Sequence, residues 1–263
     1  MNATELYQAG KLQEAIDAQI QLVKAKPADQ ALRLFLFELF AFAGELDRAL
    51  KQFDVLKFEE MGLVTAAANY RNLIESEKLR RRVFNEGIAP TFLKEPPEYV
   101  KLRVEALGQL RANNHVAAKE LIDRSDAAIP PYKGTLNEKP IELLRDCDDL
   151  FGPILEVMAQ GKYLWIALEE VEMIAKNAPK YPRDLIWAPA QLQPREGGGL
   201  AEVFLPVLYP NSHLNLDTQI KLGRANDWQQ SEGGPVRGVG HRTFLFNDDA
   251  INLLDWRQLQ GES

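Results

Sequence analysis

The sequence predicts an α+β chain, an N-terminal array of paired helices followed by a mixed segment built around a small antiparallel barrel. Three observations carry that prediction. Gly10 and Gly44 open equivalent phrases, GKLQEAIDAQ and GELDRALKQF, 34 residues apart. All four tryptophans (Trp165, Trp187, Trp228 and Trp256) fall in the second half of the 263 residues. The net charge is −7, and nearly all of the excess acid lies after Tyr132, where 13 Lys and Arg face 19 Asp and Glu. The halves differ in kind, which divides the chain into 1–132 and 133–263.

In the first half, Leu12 and Leu46, Ala15 and Ala49, and Gln19 and Phe53 fall at equal offsets from the two glycines, and Pro27 closes the first phrase. This is the period and small-residue spacing of a tetratricopeptide (TPR) repeat, in which antiparallel helices pair and stack. A first helix starts at Asn2, with Glu5 three residues on in capping-box spacing. Its partner spans 12–24 and stops before Pro27. The run LRLFLFELFAFA at 32–43 is apolar almost all round, so it forms a helix buried on several sides, with Phe35, Phe37, Phe40 and Phe42 in the core. Helices at 46–58 and 64–82 follow, then a proline-bearing linker at 89–99 and a helix at 99–112. A third, degenerate unit ends at Pro130-Pro131; Ala118 to Pro130 spans the same 12 residues as Ala15 to Pro27, but the consensus glycine is missing.

After Gly134 the pattern changes. The segment 139–161 reads as a long helix, with Pro140 in its first turn and Gly152-Pro153 kinking or dividing it. A strand at 162–168 and a short helix over EEVEMIAKN follow. Further strands are expected at 184–193, 201–209, 220–222 and 241–246, separated by Gly, Pro and Asn. Short aromatic strands so punctuated suggest a small antiparallel barrel of SH3-like class.

Composition narrows the function. An acidic chain with RRR at 80–82 as its basic run is a poor nucleic-acid ligand, and that run reads as a solvated helix face. A single cysteine, Cys147, excludes an internal disulfide and a cysteine-based zinc cluster. The N-terminus lacks the basic and apolar regions of an export signal, and 32–43 is too short to cross a bilayer, so a cytoplasmic protein without membrane insertion is expected.

The densest polar cluster is RDCDDL at 145–150. On a helix, Asp146 and Asp149 would share a face with Glu142 one turn earlier, a set that could hold magnesium. Set against that is a structural ion-pair network, with Arg183, Arg224 and Arg242 as partners near strand boundaries. His115, His213 and His241 show no metal-ligand spacing, and nothing local supports a Cys147–His nucleophile pair. GGG at 197–199 reads as a hairpin turn. GGPVRGVG at 233–240 runs into a strand, which defeats a dinucleotide-loop reading. No cofactor is called for.

The phrases RDCDDLFGPILEVMAQGKYLWIALEEVEMI, RDLIWAPAQL, FLPVLYPNSH, LGRANDW and VRGVGHRTFL occur in that order. Behind a TPR-like array, this ordered set resembles the ImpE/TagJ family of type VI secretion accessory proteins. The resemblance implies a non-catalytic cytoplasmic protein that associates with the small subunit of the contractile sheath and with the ClpV-type AAA+ ATPase that disassembles contracted sheaths. The matching residues are Arg145, Asp146, Asp148, Asp149, Trp165, Arg183, Asp184, Trp187, Leu222, Gly223, Arg224, Asp227, Trp228, Gly238, Gly240 and Arg242. None of them inherits a catalytic role. Two positions depart from the pattern: Ala225-Asn226, where a threonine is expected before Asp227, and Ala167, where proline is expected. An adaptor of this kind would take a partner helix on the concave helical face, with Tyr7 and Arg33 as candidate groove residues. The rival readings are a scaffold acting by self-association and a metal-dependent enzyme using Glu142, Asp146 and Asp149.

Overall fold

The structure is a computed structural model that describes residues 1–56 and 61–262. Among them, seven helices precede the first strand: α1 (Ala3–Gln8), α2 (Leu12–Ala25), α3 (Gln30–Phe42), α4 (Leu46–Asp54), α5 (Met61–Asn85), α6 (Glu98–Arg111) and α7 (His115–Asp126). Each helix packs on the next in sequence. Asn2 and Glu5 form the expected capping box on α1, the Glu5 amide donating to Asn2 Oδ1 at 2.9 Å and the Asn2 amide to Glu5 Oε2 at 2.9 Å. The far end of the helix expected at 46–58 lies outside the described residues.

Gly10 (φ 78°) and Gly44 (φ 75°) turn the chain in the left-handed region between α1 and α2 and between α3 and α4. Asn113 (φ 59°) takes the same place before α7. The third unit has therefore kept the turn conformation with the residue that, after glycine, tolerates it best. In α3, every residue from Leu36 to Phe42 is buried, Phe37, Phe40 and Phe42 among them.

The strands are β1 (Gly134–Leu136), β2 (Lys139–Pro140), β3 (Leu144–Asp146), β4 (Ile154–Ala159), β5 (Lys162–Ala167), β6 (Val171–Lys176), β7 (Trp187–Pro194), β8 (Ala201–Pro206), β9 (Asn226–Gln230), β10 (Val236–Gly240), β11 (Thr243–Phe246), β12 (Asp249–Asn252) and β13 (Gln258–Gly261), with a short helix α8 (Thr218–Lys221) between β8 and β9. An eight-stranded antiparallel sheet runs β2-β1-β13-β6-β7-β8-β4-β5; β10-β9 and β12-β11-β3 form two smaller sheets.

Four expectations are corrected here. The segment 139–161 is not a long helix but β2, β3 and β4. Gln160 (φ 51°) and Gly161 (φ 76°) form a two-residue turn that folds β4 onto β5, with Ala159 opposite Lys162. The short helix over EEVEMIAKN is a single 3-10 turn, Leu168–Glu170, leading into β6. The strand expected at 220–222 is α8, which Asp217 caps by accepting from the Gln219 amide. The barrel is also corrected: among the described residues the large sheet is open and does not close into a barrel. Its β5 edge is covered by linker residue Thr91, which accepts from the Trp165 amide and donates to the Tyr163 carbonyl. α5 packs on β4 and β5. A sheet covered by a helix and blunted at its edge has no need to curl closed. The expected turn at 197–199 does connect β7 to β8, and 233–240 runs into β10.

A continuous apolar core extends from Leu6 to Leu259 and includes Trp165, Trp187 and Trp256. Helices and sheet thus share one interior.

Candidate functional site

The motif residues converge where helix α5 meets the sheets. Asp146 ends β3 and is fully buried; its Oδ1 accepts from the Asp148 amide at 2.8 Å and the Tyr209 hydroxyl at 2.7 Å, and its Oδ2 pairs with Arg242 Nη1 at 2.7 Å. The other end of the Arg242 guanidinium pairs with Glu156. Glu156, buried within β4, also accepts two bonds from Arg80 of α5, at 2.7 and 3.0 Å, and one from Tyr163. Arg80 in turn donates to the Leu208 carbonyl at 2.8 Å. Arg242 lies over the rings of Phe151 (4.4 Å) and Tyr209 (5.0 Å), which shield it from water.

Asp148 closes the next link: it accepts Arg237 Nε on both oxygens at 2.9 Å and the Gly238 amide at 2.8 Å. Asp149 takes Arg145 at 3.1 Å and the Val236 amide at 2.8 Å. Gly238 must be glycine here, because a Cβ would lie 2.3 Å from the Tyr209 ring. The VRGVGHR phrase therefore supplies the cations for Asp146 and Asp148, and a backbone amide for Asp149.

Burial raises the Asp146 carboxyl to about 6, with Arg242 pulling against it. Burial likewise lowers the Arg242 guanidinium to about 10, with Asp146 opposing. Cys147 is pushed up to about 11 by burial and the flanking carboxylates, so its thiol is a poor nucleophile. A void of about 30 Å³ adjoins Arg80 and Tyr209, about the room one water needs. Glu142 is exposed and stands apart, its amide donating to Asn247 Oδ1, and no three His, Cys, Asp or Glu side chains among the described residues are arranged to hold a metal. The helical face predicted for Glu142, Asp146 and Asp149 does not exist, because the segment is strand and turn.

The remaining motif residues fasten the helical hairpins to the sheet region. Arg183 pairs with buried Glu38 of α3 at 2.5 Å and lies over Tyr70 (4.8 Å) and Tyr181 (4.0 Å). Asp184 accepts the amides of Lys180 and Tyr181. The Trp187 indole donates to Glu77 of α5 at 3.4 Å. Arg224 donates to the Tyr7 and Gln8 carbonyls, both at 2.9 Å, where α1 leaves C-terminal acceptors open. Of the three arginines expected to partner the aspartates, only Arg242 does so. Leu222 is buried, Gly223 in a turn and Gly240 at the end of β10 both have positive φ, and Trp165 is buried with its indole donating to Tyr163. Asp227 and Trp228 lie on the exposed strand β9, with the Trp228 ring 5.9 Å from that of Tyr209.

Tyr7 does not line an open groove: it is buried against Phe35 and Phe42, with Arg224 over its ring at 5.0 Å. Arg33 is bonded to the Pro27 carbonyl and to Gln52. Sequence reasoning missed Arg80, Glu156 and Glu38. RRR at 80–82 is not one solvated face: Arg80 is buried on Glu156, Arg81 donates to the Gly44 carbonyl at 2.7 Å, and only Arg82 is exposed, on Glu86. A glutamate inside each of two apolar runs, ILEVMA and LFLFELF, was the available signal.

Comparison with known proteins agrees with this arrangement. A family model described as ImpE protein matches residues 138–260. Over 262 residues, all of this chain and 92% of the relative, the sequence is 33% identical to a Pseudomonas aeruginosa protein described as "Type VI secretion system accessory component TagJ". The chain belongs to the ImpE/TagJ family. A Vibrio parahaemolyticus protein of known crystal structure shares the fold, with a TM-score of 0.89 at 23% identity over 99% of this chain and 97% of that one. Within the family phrases, Ala167 keeps an amide that donates to Glu170 at 3.2 Å, a bond a proline could not make. Asn226 donates to Thr243 Oγ1 at 3.0 Å, tying the start of β9 to β11.

Proposed function

We propose that this chain is a non-catalytic, cytoplasmic adaptor of the type VI secretion apparatus that binds the small contractile-sheath subunit and links it to the ClpV-type AAA+ ATPase. The reading rests on one observation above the others: the buried family carboxylates Asp146 and Asp148 are taken up by arginine, tyrosine and backbone donors. Carboxylates whose lone pairs are taken by arginine, tyrosine and backbone donors have no capacity left for a substrate or a hard cation. Full-length similarity to a type VI accessory component supplies the pathway.

The paired helices with left-handed Gly10 and Gly44 turns support a TPR-like array as one unit and the strand-rich remainder as the other. No helix of the described residues is long and apolar enough to cross a membrane, in keeping with work beside the cytoplasmic sheath.

Co-purification tests the proposal directly. The tagged chain is expected to retain separately expressed small sheath subunit and the N-terminal domain of the ATPase. Retention of neither the isolated small subunit, the intact sheath pair nor the ATPase domain would overturn it.

A further inference from the structure

Between α6 and the β9-β10 ribbon lies an open groove of about 440 Å³, with Leu107, Leu110 and Arg111 on the helix side and Arg237 and Val239 on the ribbon side. Its rim is formed by the loop before α8, which carries the lining residue Leu214. Leu214 is 66% exposed, and Leu216, two residues on, is 98% exposed. An aliphatic side chain so fully in water forgoes about 1.5–3 kcal/mol of burial free energy. Leu216 does not sit on a fraying end. Ser212 Oγ donates to the Tyr209 carbonyl at 2.7 Å and accepts the Gly240 amide at 2.7 Å. Downstream, the Asp217 amide donates to Asn215 Oδ1 at 2.8 Å while Asp217 caps α8. The loop is bonded on both sides of the two leucines, which are therefore presented in a fixed arrangement.

Charge gives the groove a sign. Arg237 is neutralised by Asp148. Arg111 donates to the Val83 carbonyl at 2.9 Å and has no carboxylate partner among the described residues. The groove, lined by Asn211, Asn215 and Gln229 as well as by the leucines, thus carries one guanidinium without a carboxylate partner, well suited to bidentate capture of a carboxylate.

We infer that this groove docks a short amphipathic segment of a protein partner, its large aliphatic side chains meeting Leu110, Leu214 and Leu216 and an adjacent Asp or Glu pairing with Arg111. The helix-in-groove mode fits that combination of apolar anchors and one flanking charge. The inference rests on the adaptor reading above, which supplies the partner to try.

The test is calorimetric titration of purified small sheath subunit into the full chain, into the double variant Leu214→Asp/Leu216→Asp and into Arg111→Glu. Each variant is expected to bind at least about tenfold more weakly, the leucine double variant at an unchanged unfolding midpoint because both leucines are exposed. Arg111→Lys should lose less than Arg111→Glu. Tight binding to the parent chain with undiminished affinity in both variants overturns the groove and leaves the adaptor reading standing. No binding by the parent chain overturns the groove proposal, and the adaptor reading falls with it only if the intact sheath pair and the ATPase domain are not retained either.

Discussion

The junction of α5 with the sheets and the groove beside α6 are made of opposite material. In the junction, Asp146, Glu156, Arg80 and Arg242 are buried and paired, each acid held by a cation from a distant part of the chain. At the groove and its rim, Leu214 and Leu216 face water and Arg111 has no acid to hold among the described residues. The buried charged residues of the family phrases meet in the first region and report how the helices are bolted to the sheet. The groove shares Pro210, Asn211 and Arg237 to Val239 with those phrases, whereas Leu107, Leu110, Arg111 and Leu214 lie outside them. The junction also explains why the two compositionally different halves do not separate: Arg183, Arg224 and Arg80 all cross between them.

The sharpest way to break this contrast is to remove the shared cation. Arg242→Ala leaves Asp146 and Glu156 facing each other without it, and breaking a buried pair in this way costs about 3–5 kcal/mol. Urea denaturation should show that loss, whereas a change below about 1 kcal/mol would mean that the buried charges do not hold the body together. A smaller loss is expected from Gly44→Ala. Its φ of 75° is costly for alanine by about 1–2 kcal/mol, and the new methyl would lie 2.2 Å from His213 Cδ2. A shift in unfolding midpoint confined to a few tenths of a kcal/mol would show that the turn and the loop at 211–217 are not pressed together.

Acidity probes the same contact by a different route. Burial, helped by Arg81 and Arg80 and opposed by Glu77, lowers His213 from 6.5 to about 4. The unfolded chain then binds more protons than the native one between those values, so the stability linked to His213 is complete above about 6.5 and lost as pH falls toward 4. Asp146, raised to about 6, has the opposite slope, since its native state binds the extra proton. The readout is consequently the difference between parent and His213→Asn: the variant should lose less stability on acidification from pH 6.5 to 4. Parallel curves would place His213 in water rather than against Gly44.

The helical half was the legible half. Its turns are set by local rules, so the glycine spacing and the Asn2–Glu5 cap are readable from a few residues, and Asn113 could have been recognised as a left-handed substitute for glycine. The sheet half was less so. The apolar residues of 139–161 suit a buried helix or a buried strand equally, and only the Gln160-Gly161 turn distinguishes them. Barrel closure was unreadable because it depends on α5 and Thr91 arriving from another part of the chain. The aspartate cluster was rightly set against an ion-pair network, but two of its three expected cations went to Glu38 and to the end of α1. Pairings that span 76 or 96 positions, as Arg80–Glu156 and Arg242–Asp146 do, leave no local trace.

Hydrogen–deuterium exchange of the full chain with and without the small sheath subunit tests the separation of the two regions most directly. New protection is expected over 107–111 and 211–217, with β3, β4 and α5 already slow and unchanged by the partner. Protection appearing instead across the outer helices α1 to α4, with 107–111 and 211–217 unaltered, would contradict it.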